Sequence, residues 1–174
     1  AGLLASLKLT GVQTLPASAL IQLELQGPVY APATLVQGSS GAYSITDGLT
    51  GVRPVANPTL AKLYGFSSVV KVGSKDLAAY SKLSNWSGPK ILCGSTQYLP
   101  VAGKWQPIAD SYASTYPGKP VGLADITCAR LKLGTTQLGR FVISPAGFTY
   151  LMSAGKRRLV NSSKQYKALL GSTP

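Results

Sequence analysis

Polar and apolar positions alternate in three β-rich runs, "ATLVQGSSGAYSITD", "PKILCGSTQYLPVA" and "GRFVISPAGFTYLMSA", centred on Tyr43, Tyr98 and Tyr150. A period of two suits a strand with one face in a core. A glycine follows each run, at Gly51, Gly103 and Gly155, where a hairpin turn needs backbone freedom. A second strand is then expected in "VRPVA", "WQPIA" and "RRLVN". Helical patterns flank each hairpin. Ahead of it stand "LPASALIQLEL", "VGSKDLAAYSKL" and "LADITCARLKL", in which Leu15, Val72 and Leu123 correspond, as do Leu20, Leu77 and Cys128. Behind it come "NPTLAKLYG", "DSYASTYPG" and "SSKQYKALLG". Asn57, Asp110 and Ser162 are candidate N-caps, and Pro58 suits a first helical position. Gly65, Gly118 and Gly171 are the expected stops.

The pattern recurs at about fifty residues, a period typical of repeat architectures. The units run over 12–65, 69–118 and 121–171. A unit this small cannot bury its own apolar face and must pack on its neighbours. No Pro/Gly/Ser-rich linker of useful length separates the units. The expected fold is therefore α+β and β-rich. It has three tandem repeats, each a short helix, a β-hairpin or three-stranded piece, and a short helix, packed into one pseudo-threefold domain over 1–174.

Apolar residues make up 45% of the 174, enough for a core, and no run approaches the length of a membrane span. The opening "AGLLASLKLT" lacks the charged and long apolar regions of an intact secretion signal, so it reads as already processed or as an artificial boundary. Charge is distributed unevenly. Seventeen Lys and Arg face five acids, giving a net charge of +12. Residues 1–52 hold Lys8 against Glu24 and Asp47, whereas no acid follows Asp125 and eight basic residues do: Arg130, Lys132, Arg140, Lys156, Arg157, Arg158, Lys164 and Lys167. Such a field draws polyanions.

Catalysis finds little support. The chain has no histidine, which excludes Ser–His–Asp and Cys–His nucleophile systems. The five scattered acids could in principle supply a carboxylate pair for glycoside hydrolysis, but Asp76 and Asp125 stand at nearby repeat positions in expected helices, where exposed acids need no functional explanation, and Asp110 suits a cap. Two Ser-x-x-Lys tetrads, Ser68/Lys71 and Ser87/Lys90, lack the Lys-Thr-Gly and Ser-Asp-Asn partners that would give them meaning. Two thiols without histidine do not make a structural zinc site, and no Gly-rich phosphate loop is present, so neither metal nor cofactor is expected. In a reducing compartment Cys93 and Cys128 would be buried free thiols, and in a secreted chain one disulfide. A composition rich in Ser, Thr, Gly, Tyr and Pro and poor in acids leans toward the second.

Binding is the better expectation. Aromatic and cationic side chains can stack on sugar faces and pair with phosphate or carboxylate. Tyr43, Tyr98 and Tyr150 recur in every unit and so suit packing first, with a ligand role second for Tyr98 and Tyr150. Trp105 and the triplet Lys156-Arg157-Arg158 differ between units on the strand after the turn, and Trp86 stands in the loop "SNWSGP". Candidate ligand-binding residues are Arg53, Trp86, Tyr98, Lys104, Trp105, Tyr150, Lys156, Arg157 and Arg158.

The third unit, through Tyr150, Leu151, Gly155, Lys156, Arg157, Arg158 and Ser162, resembles the tandem "G-x-x-V-Y-L-V-x-G-G-K-K-R-P-I-x-S" repeats of secreted cell-wall hydrolases and surface proteins of Gram-positive actinobacteria. The second keeps Tyr98, Gly103, Lys104, Pro107 and Ile108, with Trp105 and Gln106 at usually basic positions. The first keeps Tyr43, Arg53, Pro54 and Val55, while "DGLTG" lengthens its turn. Some relatives carry cysteines placed as Cys93 and Cys128 are here. The resemblance implies a non-catalytic, extracellular or wall-associated module. Its expected partner is a cell-wall polysaccharide, teichoic or teichuronic acid, or peptidoglycan. The alternative is a protein-binding adhesin or assembly domain on the cell surface. Nucleic acid is a weaker third choice, suggested by charge alone.

Overall fold

The computed structural model describes residues 14, 16–20, 27–56, 58–66, 68–144 and 146–170. Leu15, Asn57 and Gly171 lie outside the described residues, as does the side chain of Leu20. The chain is α+β and β-rich, with three sheets and short helices among the described residues. No helix there is long and apolar enough to cross a membrane. Two compact units form, and each is taken in turn.

The first unit comprises residues up to Ser87 together with Leu123–Lys132. Strands β1 (Leu35–Gln37), β2 (Tyr43–Asp47) and β3 (Gly51–Val55) make an antiparallel meander. Strand β4 (Val69–Lys71) runs parallel outside β1, and β5 (Ser81–Lys82) runs parallel outside β3. Helices α1 (Ala17–Leu20), α2 (Pro58–Leu63) and α3 (Asp125–Cys128) complete it. Pro58 opens α2, where its missing amide has no intrahelical partner to lose. Gly65, at φ 87°, closes it as expected: its amide donates to Lys62 O and that of Phe66 to Ala61 O, each at 3.0 Å. Leu35, Val36, Ile45, Val52, Val55, Ala61, Tyr64, Val72 and Trp86 form the core of this sheet and its cover.

The expected helix in "VGSKDLAAYSKL" is replaced by successive turns over Gly73–Tyr80. Asp76 Oδ2 accepts the Gly73 amide at 2.8 Å, and three-residue backbone bonds follow at Asp76, Ala78 and Tyr80. A carboxylate that captures a nearby amide offers the backbone an alternative to the helix.

The second unit comprises Gly88–Gly122 and the chain from Leu133 onward. Its first sheet is the meander β6 (Ile91–Cys93), β7 (Thr96–Val101) and β8 (Lys104–Pro107), with β9 (Val121–Gly122) parallel outside β6. Leu133 and Leu138 bridge in parallel to Trp105 and Ile108 along the other flank. Its second sheet is the meander β10 (Phe141–Ile143), β11 (Thr149–Ser153) and β12 (Lys156–Leu159), followed by helix α4 (Ser163–Leu170). Ser162 caps α4, its Oγ accepting the Gln165 amide at 3.1 Å, while Gln165 Oε1 reaches back to the Asn161 amide. The tail over Asp110–Thr115 is a 3-10 helix rather than an α-helix, and Asp110 is its first residue, not its cap. Thr115 Oγ1 turns back onto Tyr112 O at 2.7 Å, a bond that competes with helical continuation.

Strand pairing sets the correspondence between the meanders. Tyr98 lies opposite Pro107 and Tyr150 opposite Leu159, but Ser44, not Tyr43, lies opposite Pro54. The β2–β3 loop holds Gly48, Leu49 and Thr50, whereas the other two turns hold only two residues each. That extra residue moves Tyr43 one step along the strand and so to the other face. There its hydroxyl accepts a bond from Gln37 Nε2 at 2.9 Å.

In both short turns the first position is alanine at positive φ, Ala102 at 49° and Ala154 at 48°, with Gly103 and Gly155 following at 74° and 73°. A two-residue hairpin turn with both φ values positive favours Asn-Gly, because Cβ crowds the carbonyl in the left-handed region. Ala102→Asn and Ala154→Asn are each expected to raise the unfolding free energy by about 1 kcal/mol. Urea midpoints rising at an unchanged denaturant slope would show it. Gly51 is held for another reason: a Cβ there would lie 2.5 Å from Asp47 O and 2.6 Å from Leu83 Cδ1.

Candidate functional site: a cationic edge strand

The β11–β12 hairpin presents the densest charge of the second unit. Its turn is anchored by the Gly155 amide, which donates to Thr115 O at 2.9 Å. Strand β12 reads Lys-Arg-Arg-Leu, and all four residues are exposed. Pairing sets Ser153 against Lys156, Met152 against Arg157, Leu151 against Arg158 and Tyr150 against Leu159. Side chains alternate across a strand, so Lys156 and Arg158 share one face, about 6.6 Å apart along the strand, and Arg157 takes the other. Arg157 Cζ sits 5.3 Å from the centroid of the Tyr150 ring, a diagonal cation–π pair that holds the guanidinium near the sheet. Among the described residues none of these three cations forms an ion pair. A cleft of about 600 Å³ in the same unit is lined by Tyr112, Arg140, Phe141, Met152 and Leu169, and reaches Ser153 beside Lys156.

The equivalent strand β8 shares one feature with β12 and loses the rest. Lys104 is exposed, at the place of Lys156. Trp105, at the place of Arg157, is 2% exposed and lies under the Leu133 segment, where the Gly134 amide donates to its carbonyl at 2.8 Å. Tyr98 is half-buried, as is Tyr150. Trp86 is 1% exposed, stacked on Tyr64 at 5.3 Å with Phe66 edge-on at 6.2 Å. Burial assigns both tryptophans to packing, and neither offers a ring to a surface ligand.

Arg53 is likewise committed inside the first unit. Its Nε lies 2.6 Å from Asp47 Oδ2, and its Nη1 donates to Ser84 Oγ at 2.8 Å. Asp47 Oδ1 also accepts the Ala124 amide at 2.8 Å, just ahead of α3, and the Gly48 amide donates to Thr127 Oγ1 at 2.7 Å. The tip of the β2–β3 hairpin thus holds the start of α3 through buried polar bonds. Nothing in residue spacing signals this pair, because the two side chains meet only across the lengthened turn.

Lys90, from one of the serine tetrads, is 4% exposed, and its Nζ donates to Ala113 O at 3.0 Å and Tyr116 O at 3.3 Å. It thereby satisfies carbonyls at the end of the 3-10 helix, where a cation suits the local dipole. Burial lowers its pKa below the ordinary lysine value. Burial also raises the phenols of Tyr64 and Tyr116, the latter donating to Gly139 O at 2.7 Å. Tyr30 is raised by desolvation and then by the Asp76 carboxylate 3.3 Å away.

Cys93 and Cys128 are both disulfide-bonded, and the chain contains no other cysteine. No family model, no curated protein and no solved structure matches this chain.

Proposed function

We propose that this chain is a non-catalytic binding module of a secreted bacterial protein, built from three copies of one unit, that holds anionic polymers of the cell envelope on the β11–β12 hairpin. The observation that carries the reading is the exposed triplet Lys156, Arg157 and Arg158 on β12, without an anionic partner among the described residues. Arginine pairs bidentately with phosphate and carboxylate, and Tyr150 beside Arg157 offers an aromatic surface to a sugar. Lys104 adds a lesser contact on β8. The disulfide is compatible with an oxidising, extracytoplasmic setting. The resemblance to wall-associated repeats supports the choice of envelope polymer over nucleic acid.

Exposed pairs contribute up to about 1 kcal/mol each, so reversing all three charges is expected to weaken binding roughly tenfold or more. The test is retention of the purified chain on isolated cell walls across a salt series. Wild type should elute progressively as salt rises, and Lys156→Glu/Arg157→Glu/Arg158→Glu should elute at the lowest salt. Retention indifferent to both salt and charge reversal would remove the electrostatic reading. Walls stripped of their anionic polymer separate that ligand from peptidoglycan glycan.

A further inference from the structure

A hollow of about 370 Å³ opens between the β10–β11 turn and the start of α4, within the second unit. Phe148, Thr149, Asn161, Ser162, Ser163 and Tyr166 line it, and among the described residues no charged side chain does. Its volume falls in the range of small-ligand sites, which begin at about 300 Å³.

Local bonds fix both sides of the hollow. The Ser144 amide donates to Phe148 O at 2.9 Å and the Phe148 amide to Ser144 Oγ at 3.1 Å, while Gly147, at φ 81°, closes the turn between them. Across from the turn, Tyr166 stands on α4 with its ring edge-on to Phe141 at 5.0 Å. The Val160 amide donates to Thr149 O at 2.9 Å, and Gln165 Oε1 accepts the Asn161 amide at 3.0 Å. Ser162 Oγ is committed to the cap of α4. The backbone is thus held without a ligand, which lowers the ordering cost of binding one.

The side chains left over share a character. Phe148 is 54% exposed and Tyr166 36%, although both are large and aromatic. The Thr149 and Ser163 hydroxyls, the Asn161 carboxamide and the Tyr166 phenol make no hydrogen bond among the described residues. Packing does not demand a ring at 148. On the second meander the Ile108 amide donates to Gln97 O as that of Val160 does to Thr149 O, which sets Thr96 at the place of Phe148. An exposed ring that the sister meander dispenses with suits contact with a ligand.

The lining also selects the kind of ligand. Without a cation it offers a phosphate or carboxylate no counter-charge. A sugar ring has both features the hollow can use. Its C–H face settles on the negative face of an aromatic ring, and its hydroxyls exchange hydrogen bonds with groups that both donate and accept.

We infer that this hollow is a subsite for an uncharged pyranose unit of a glycan. Phe148 is its stacking platform and Tyr166 its second wall, while Asn161 and Ser163 bond the sugar hydroxyls. The inference goes beyond the polyanion reading and does not rest on it, because none of the three β12 cations lines the hollow.

The test is titration of the purified chain with cellotriose, mannotriose and tri-N-acetylchitotriose, followed through backbone amide shifts by NMR. Salt is held at about 1 M, where the Debye length falls to about 3 Å, and no wall polymer is present. Saturable binding of at least one trisaccharide is expected, in the millimolar range or tighter, with shifts centred on residues 147–149 and 161–166. Phe148→Leu keeps an apolar side chain but no ring face, and should weaken binding at least tenfold, whereas Phe148→Trp should retain it. Asn161→Ala leaves the backbone bond to Gln165 in place and should cost about fivefold. Circular dichroism checks that each variant folds, and Asn161→Ala decides the matter should Phe148→Leu not fold. Failure of all three trisaccharides to bind overturns the inference. So does binding undiminished by Phe148→Leu in a folded protein, or shifts that avoid the hollow. Wall retention is read on walls across a salt series, so either result stands whatever the other shows.

Discussion

Asp47→Ala is expected to lower the unfolding free energy by about 3–5 kcal/mol, a large share of the 5–15 kcal/mol typical of a folded domain. The Asp47 side chain is 2% exposed and serves two partners at once, the Arg53 guanidinium at 2.6 Å and the Ala124 amide at 2.8 Å. Its removal leaves a cation that is only 12% exposed without its counter-charge, and strands a backbone donor at the start of α3. Asp47→Asn keeps an acceptor for Ala124 and should cost less. The informative variant is the pair Asp47→Leu/Arg53→Met. Replacing both members of a buried ion pair by apolar groups of similar size is often neutral or stabilising, so the double variant should recover most of the loss. Urea unfolding of the two singles and the double gives the coupling directly. The same double variant separates two roles for Arg53. Packing requires stability to return and wall retention to be unchanged, whereas a ligand contact would lower retention even in a stable protein.

Residue pattern was a good guide wherever the cause is local. Alternation located the strands around Tyr98 and Tyr150, Gly103 and Gly155 located two of the three turns while Gly51 opens strand β3 instead, and Pro58, Gly65 and Ser162 marked helix ends through their own backbone chemistry. It was a poor guide wherever one added residue or one distant neighbour decides. Counting back from Gly51 placed Tyr43 with Tyr98 and Tyr150, yet the longer β2–β3 loop shifts the strand by one residue and exchanges its faces. Tryptophan in a loop and tryptophan on a strand look alike whether buried or exposed. Trp86 is buried against Tyr64 and Phe66 on a segment that bridges to Val55, and Trp105 is buried on a strand that the Leu133 segment flanks. Arg53 resembles Arg157 and Arg158 in sequence and differs from them through the partners that hold it, Asp47 and Ser84. What distinguishes the cationic triplet is the absence of a covering strand on β12 among the described residues, a property of topology and not of composition.

Reduction of the disulfide, or Cys93→Ser/Cys128→Ser, is expected to lower the unfolding free energy by about 3–4 kcal/mol, the loop-closure contribution for a cross-link spanning roughly 35 residues. Cys128 is 7% exposed and its Sγ lies 4.0 Å from Leu123 O, so serine at this position also buries a hydroxyl where sulfur made weaker demands. Cys93→Ala/Cys128→Ala separates the two effects, since alanine removes the cross-link without adding a polar group. If chain entropy dominates, the alanine and serine doubles should fall within about 1 kcal/mol of each other and of the reduced wild type. The consequence for location follows from the same number. A cross-link of about 3–4 kcal/mol is a substantial fraction of the 5–15 kcal/mol typical of a folded domain. A chain dependent on it should lose wall binding when thiol reductant is added at growth temperature, and keep it when the reductant is omitted. Equal unfolding midpoints with and without reductant would show that the sheets alone suffice, and would remove the disulfide as support for an extracytoplasmic setting.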